Sequence, residues 1–167
     1  MEKLRLEEKS WWPFIHEDLR ELLGQSVLLL QKTHAWEEKF HDYAFIVFPA
    51  AKAYEGFLKT LFYDLGFITE EEFNGKRFRA GKALNPELDP HLRQKESVYD
   101  KLVAFCRGRE LADKLWETWK RARNLLFHWF PNGGNAISLQ GAGQAIEEIL
   151  NSMDISYREC KIERVGE

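Results

Sequence analysis

The chain has 167 residues, of which 44% are apolar and 14% aromatic, so it can bury a substantial core as one domain spanning residues 1–167. Its 24 basic and 27 acidic residues give a net charge of −3. This charge excludes binding of nucleic acid through a broad basic surface that contacts many phosphates. Any RNA contact is therefore expected at a local basic cleft. No apolar run reaches membrane-spanning length and no signal-peptide core is present, which predicts a soluble, cytoplasmic chain without a membrane partner.

Neither a metal site nor a disulfide framework is predicted. Cys106 and Cys160 lie far apart and lack C-x-x-C spacing, so we expect reduced thiols. His34 and His41 stand apart from other residues at metal-ligand spacing, which favours a structural or surface role for each over zinc binding.

The first helix is predicted to run from the Trp11-Trp12-Pro13-Phe14 segment to about Thr33, because leucines recur at helical spacing behind a proline suited to helix initiation. The two tryptophans either plug one end of the core or offer a base-stacking platform to RNA. Aromatic residues at a chain entry usually pack, which favours the core. Residues 35–42 are expected to form a connector.

The second helix is predicted to begin at Phe48, and Gly66 is expected to end it as a C-cap. Apolar residues line one face of this helix. On the opposite side, Lys52, Glu55 and Lys59 fall within about 60° of one another on an ideal helix. This face is either a solvated surface with helical ion pairs or one half of a functional site.

The middle of the chain is predicted to contain short elements. A capping box at residues 69–72 predicts a short helix through about Gly75. The basic run at residues 76–82 contains Phe78, which is expected to be exposed, and it forms either a solvated loop or a contact to phosphates and bases. Two X-Pro steps then break the chain before a helix expected over residues 97–106.

The central helix is predicted over residues 116–130 and carries Arg123, Asn124 and His128 near its end. The pattern Arg-Asn-x-x-x-His occurs once in the chain. Arg123 and His128 lie about 140° apart on an ideal helix, and Arg121 shares a face with His128 better. Direct contact within one chain therefore requires a distorted last turn, and a site assembled from two symmetric copies is the easier geometry.

Beyond this stretch, residues 132–135 are predicted to form a flexible turn, and Ser138 is expected to cap a last helix. Residues 155–165 alternate loosely and predict a short extended tail. The whole pattern predicts an all-α fold, an antiparallel helical bundle of about five main helices in a single domain.

The Arg-Asn-x-x-x-His pattern at residues 123–128 resembles the R-x(4-6)-H motif of the HEPN domains, many of which are ribonucleases. Within that superfamily, the chain looks most like the toxin domain of the RNase LS family. Residues 51–59 are similar to the toxin segment in which a basic residue and a Glu three positions later join the motif. Glu55 matches that pattern, whereas Lys52 stands where the family has Arg and lacks its bidentate fork.

The resemblance implies a HEPN-like bundle and an endoribonuclease that requires no metal or cofactor. In such an enzyme the ribose 2′-OH attacks the adjacent phosphate, His128 exchanges a proton and Arg123 stabilises charge on the phosphate. Asn124 would orient the imidazole or bind phosphate, and Glu55 would either transfer a second proton or orient His128. The expected substrate-binding residues are Lys52, Lys59 and Arg121.

The implied partners are RNA, a second copy of the chain with facing motif helices, and a cognate antitoxin protein. Two alternatives stay open. One is a non-catalytic HEPN-like module that binds nucleotide or protein. The other is a plain helical interaction module in which Arg123 and His128 are ordinary surface residues.

Overall fold

The computed structural model describes residues 5–131 and 134–162, and this part of the chain contains helices and no strand. The prediction of an all-α fold is therefore confirmed. Five of the α-helices have nine or more residues, which agrees with the expected number of main helices. The α-helices are α1 (Glu17–Thr33), α2 (Ala44–Asp64), α3 (Glu70–Asn74), α4 (Ala80–Ala83), α5 (Pro90–Glu96), α6 (Val98–Cys106), α7 (Glu110–Trp119) and α8 (Leu139–Tyr157). Across the described ranges, none of them has the length and apolar composition of a membrane span.

Helix α2 forms the centre of the core. It contacts α1, α8 and the backbone turn that follows α7. Because it is covered from several sides, its apolar residues extend over more than a single stripe. The fully buried residues are Ile46, Val47, Ala50, Ala51, Ala53, Tyr54, Phe57, Leu58, Leu61 and Phe62.

The sequence predicted where α2 begins and ends, and the structure shows both ends. The predicted start at Phe48 is wrong, because the helix begins at Ala44 and Pro49 lies inside it. The predicted end is confirmed. Gly66 adopts a left-handed conformation with φ of 70°, and its N–H donates to the Tyr63 carbonyl at 2.9 Å in a glycine-dependent helix end.

A serine on α1 supports the passage of α2 through Pro49. Proline removes a backbone donor and crowds the preceding turn, which normally breaks a helix. Ser26 Oγ donates to the Ile46 carbonyl at 2.7 Å and accepts from the Ala50 N–H at 2.8 Å. Its hydroxyl therefore satisfies two buried backbone groups beside the proline, as an inserted side chain can do at a kink. The sequence pattern of α2 alone does not reveal this partner.

The predicted caps at Thr69 and Ser138 are confirmed, because Thr69 forms the capping box of α3 and Ser138 accepts from the Gly141 N–H of α8. The helix expected over residues 97–106 is α6, and Ser97 caps it by accepting the Asp100 N–H. Helix α5 was not predicted, because the X-Pro steps before it and at its N-terminus indicated a break. Asp89 caps this helix and proline occupies its first turn, where a missing N–H costs little.

The entry segment packs as expected. Trp11 is fully buried and its Nε1 donates to Asp154 Oδ1 at 2.5 Å, while Lys9 Nζ contacts the second carboxylate oxygen at 2.5 Å. These bonds attach the segment before α1 to α8. Trp12 is half-buried against the core. The interpretation of the tryptophan pair as a core plug is therefore confirmed for Trp11.

The predicted extended tail at residues 155–165 is wrong over its described part. Helix α8 continues to Tyr157 and a π-helical turn follows over Arg158–Ile162. Ser156 and Cys160, four residues apart, are both buried, as expected for one face of a helix. Residues 163–165 lie outside the described residues.

We expect Ser26→Ala to lower the free energy of unfolding by about 1–3 kcal/mol, because it leaves the buried Ala50 N–H without its acceptor. Urea unfolding followed by circular dichroism measures this change. Ser10→Ala is the matched control at an exposed serine, with an expected change within about 0.5 kcal/mol. Equal stability of the two variants would contradict the bridging role of Ser26.

Candidate functional site

The backbone that carries the Arg-Asn-x-x-x-His pattern is irregular. Regular α-helix ends at Trp119, a π-helical turn follows over Lys120–Asn124, and a 3-10 turn covers Leu125–Phe127. His128 is then extended, with φ of −98° and ψ of 139°. The predicted regular helix through Phe130 is therefore wrong. Turns of π-helix are rare and occur frequently at functional sites.

Two residues after the pattern explain why helix does not continue. Pro131 has no N–H to offer the Phe127 carbonyl four residues earlier, and it disfavours helical backbone at Phe130. Asn135 Nδ2 donates to the Leu125 carbonyl at 3.0 Å and also to the His128 carbonyl. A side chain thus takes the place of the helical donor at Leu125.

Arg123 is held from several directions. Its Nη2 donates to Glu55 Oε2 at 3.3 Å, and both side chains are one-third exposed. The guanidinium carbon lies 5.6 Å from the Trp119 ring centre and 5.8 Å from that of Phe127. Cation–π contacts of this kind favour one position of the cation. Because the ion pair is single and partly solvated, other N–H groups of Arg123 can bind a further acceptor.

His128 is exposed and contacts Asn124. Its Nε2 lies 3.2 Å from Asn124 Oδ1, so a hydrogen on Nε2 can be donated to the amide oxygen. In the neutral imidazole with that tautomer, Nδ1 is the nitrogen that accepts a proton. Asn124 can therefore orient the His128 ring, which is one of the two roles expected for it.

The structure distinguishes the two arginines. Arg123 pairs with Glu55, whereas Arg121 is largely exposed and lies 3.6 Å from Glu117 on its own helix. The comparison of angles on an ideal helix does not apply here, because the π-helical and 3-10 turns alter the rotation per residue. Two separate contacts, Glu55 with Arg123 and Asn124 with His128, thus involve residues that are adjacent in sequence, Arg123 and Asn124.

The remaining predicted residues line a cleft between α1 and α2. Lys52 is exposed, Lys59 and Glu55 are half-buried, and all three face a space of about 500 Å³. The opposite wall carries Asp18 and Glu21 from α1. The expected basic cleft is therefore a cleft of mixed charge at this point. In the described part of the chain, no group of three or more His, Cys, Asp or Glu residues is placed to hold a metal ion.

The sequence did not predict the contacts of Asn135, because residues 132–135 were expected to form a flexible turn. Residues 132 and 133 of that turn lie outside the described residues. The following segment is anchored as well. The Ile137 carbonyl accepts from the Tyr43 N–H at 3.0 Å, and the Ile137 N–H donates to Asp42 Oδ1 at 3.2 Å, just before the start of α2. An asparagine after a Gly-Gly pair is a weak signal on its own, because its partners are backbone carbonyls that any sequence supplies.

Comparison with protein-family models, with curated proteins and with solved structures found no match.

We expect Asn135→Ala to loosen the backbone around His128 without unfolding the protein. The affected carbonyls are at exposed residues, so the change in unfolding free energy should stay below about 1 kcal/mol. Backbone amides of residues 124–130 should exchange with deuterium faster, which mass spectrometry of proteolytic fragments measures. Gln144→Ala, at an exposed residue of α8, is the control and should leave this exchange unchanged. Unaltered exchange in the Asn135 variant would show that the side chain does not hold the turn.

Proposed function

We propose that this protein is a metal-independent endoribonuclease of the HEPN type, acting as the toxin of a toxin–antitoxin or defence system. The observation that carries the proposal is the set of contacts in which Arg123, held by Glu55 and two aromatic rings, adjoins the Asn124–His128 pair. The resemblance of residues 123–128 to the HEPN motif supplies the reaction class.

The proposed reaction is an internal transfer of a phosphoryl group. The ribose 2′-oxygen attacks the adjacent phosphorus, its proton passes to a general base, and the bond from phosphorus to the 5′-oxygen breaks. A general acid protonates the departing 5′-oxygen, which leaves a 2′,3′-cyclic phosphate and a free 5′-hydroxyl. A histidine can perform proton transfer of this kind near neutral pH. The oriented imidazole of His128 supports that role.

Charge on the pentavalent phosphate needs a fixed cation. A cation that is already positioned stabilises a transition state more effectively than one that must be ordered during the reaction. Arg123 meets this condition through its contacts with Glu55, Trp119 and Phe127. Lys52 and Lys59 lie on the same helix as Glu55 and are the proposed neighbouring contacts to substrate.

The proposed assembly is a homodimer whose two-fold axis passes near His128. Exposed apolar residues lie within and beside the motif, and the exposed ring of Phe48 lies 5.3 Å from the ring of half-buried Phe127. The exposed ring of Phe40 contacts those of Trp36 and Phe45. Trp129, beside His128, is 83% exposed. Six of these exposed residues are aromatic and one is a leucine, and we call them together the aromatic surface: Trp36, Phe40, Phe45, Phe48, Leu125, Trp129 and Phe130. Contiguous exposed apolar residues mark association surfaces, and a second copy centred on His128 would cover them.

Cleavage of single-stranded RNA should persist in excess EDTA, because the proposed reaction depends on Arg123 and His128. Gel analysis of labelled RNA with and without chelator measures this outcome. Loss of activity in EDTA, with recovery on addition of a divalent ion, would contradict the mechanism.

His128→Ala should lower the cleavage rate by about 10²–10⁴-fold, as removal of a general acid or base does. Arg123→Ala should lower it by about 10²–10³-fold through loss of fixed charge. Arg121→Ala is the matched control on the same helical turn and should have a milder effect, because this side chain pairs with Glu117. Size-exclusion chromatography should show that the His128 variant keeps its dimer. Full activity in that variant would refute the assignment.

A mixture of Arg123→Ala and His128→Ala subunits tests whether the site is shared. If each site combines Arg123 of one copy with His128 of the other, a mixed dimer has one intact site, and random mixing restores about one quarter of native activity. Both parent variants alone are the controls. Failure of the mixture to exceed them would place each site within a single copy.

The aromatic surface also supports a second candidate, a non-catalytic module that binds protein. Such a module would use exposed aromatic residues as its contact area. Trp129→Ser separates the two functions. It should abolish protein binding in an interaction module, whereas the ribonuclease proposal requires that the dimer and RNA cleavage weaken together.

A further inference from the structure

The basic segment, residues 76–79, lies beside the motif although it is distant in sequence. It leads into α4, where Gly81 packs so closely on Trp119 that a side chain at this glycine would overlap the indole ring. The same indole lies under the Arg123 guanidinium, at 5.6 Å. Trp119 thus contacts both Arg123 and Gly81, which follows the basic segment by two residues.

Lys59 provides a second link between the two regions. It lines the cleft that contains Glu55, and its Nζ lies 5.8 Å from the Phe73 ring centre and 6.0 Å from that of Phe78. Lys59 follows Glu55 by four residues, which is about 6 Å along the helix axis. A polymer bound at Arg123 therefore meets Lys59 and then the basic segment.

One side chain of the basic segment packs against the core, and the other three are exposed cations. Phe78 was expected to be exposed, but it is half-buried and packs against the core because Lys59 and neighbouring apolar groups cover it. Lys76, Arg77 and Arg79 are exposed and form no ion pair within the described ranges. By contrast, Lys82 pairs with Glu96 at 2.5 Å. The half-buried Phe78 thus anchors the segment that presents these three cations at the surface.

A second cleft, of about 680 Å³, lies beside this segment. Its lining includes four cations and two carboxylates. Of the two, Glu72 already accepts from the Thr69 N–H and hydroxyl in the capping box. The cleft therefore presents an excess of positive charge on a chain of net charge −3. The charged lining residues are Lys76, Arg77, Lys95, Lys101, Glu71 and Glu72.

On the α1 side of the first cleft, the charge is less favourable for an anion. The α1 wall of the first cleft carries Asp18 and Glu21, whose carboxylates repel phosphate. On the other side, Lys59 contacts the rings of Phe73 and Phe78, so cations lie at Arg123, at Lys59 and in the basic segment that contains Phe78. A flexible chain of regularly spaced negative charges fits this arrangement of cations, because each cation can neutralise a successive phosphate.

We propose that the basic segment, together with the cleft beside it, binds the single-stranded RNA on one side of the scissile phosphate. The inference rests on the proposed function for the position of the cleaved bond. Phosphate contacts at Lys76, Arg77 and Arg79 hold the strand in register without reading its sequence. They also account for RNA binding by a chain whose overall charge is negative.

Binding of uncleaved RNA tests this site. In the full-length His128→Ala protein, fluorescence anisotropy compares a labelled trinucleotide with a labelled dodecanucleotide. Replacing the three cations (Lys76→Gln, Arg77→Gln, Arg79→Gln) should weaken dodecanucleotide binding about 10–100-fold and alter trinucleotide binding less than about twofold. The slope of log K against log salt concentration should become shallower by about 2, because each of the three lost phosphate contacts contributes about 0.7 to it.

A matched control removes three exposed cations that line neither cleft (Lys32→Gln, Lys39→Gln, Arg107→Gln) and changes net charge equally. It should retain native dodecanucleotide affinity. Unchanged affinity in the basic-segment variant, or an equal loss in the control, would overturn the proposed RNA site. In the first case an acidic protein partner would become the better ligand for this segment.

The test also separates this inference from the ribonuclease proposal. Cleavage by the native protein, combined with unchanged binding in the basic-segment variant, would refute the RNA site alone. Loss of binding in that variant, combined with no cleavage by the native protein, would refute the ribonuclease and keep the RNA site. Urea unfolding should confirm that both charge variants fold, since all six positions are exposed.

Discussion

The arrangement of the helices depends on the buried hydroxyl of Tyr54. It donates to the Leu115 carbonyl on α7 at 3.2 Å and lies 2.9 Å from Ser152 Oγ on α8, so one polar group of α2 joins three helices. Burial raises the pKa of the Tyr54 phenol far above its ordinary value, although the hydrogen bond to Ser152 acts in the opposite direction. The phenol therefore stays neutral. A buried group of this kind is costly without partners, which favours the one packing that supplies both.

This link has a direct consequence for the candidate site. Tyr54 fixes α7 against α2, and Glu55, the next residue of α2, consequently reaches Arg123 beyond the end of α7. The tyrosine ring also packs on Trp119, which supports the guanidinium from beneath. The rigid part of the bundle thus positions the cation. The imidazole of His128, in contrast, depends on an irregular turn whose geometry is held by side chains.

Features that depend on residues close together in sequence were predicted, whereas features that depend on contacts between distant segments were not. Gly66 and the capping box at Thr69 act within a few residues, so their sequence signals were sufficient. The start of α2 was not predictable from local pattern, because Ser26 on another helix satisfies the groups beside Pro49. The same holds for the site. The Arg-Asn-x-x-x-His pattern identified Arg123, Asn124 and His128 as candidate site residues, but only the packed structure includes the π-helical turn and the pairing with Glu55.

The pairing of Arg123 with Glu55 also bears on the two roles that sequence left open for this carboxylate. A partly exposed ion pair contributes only about 0–1 kcal/mol, so an incoming phosphate, which makes stronger charge-assisted bonds, can displace it at little cost. Before substrate binds, Glu55 keeps the guanidinium in place over Trp119. After displacement, the proposed reaction leaves a carboxylate beside the phosphate, where it can accept a proton. The partner of Glu55 in the structure is Arg123, so under the proposed function this carboxylate orients the guanidinium before RNA binds and accepts a proton afterwards, whereas the resemblance implied orientation of His128.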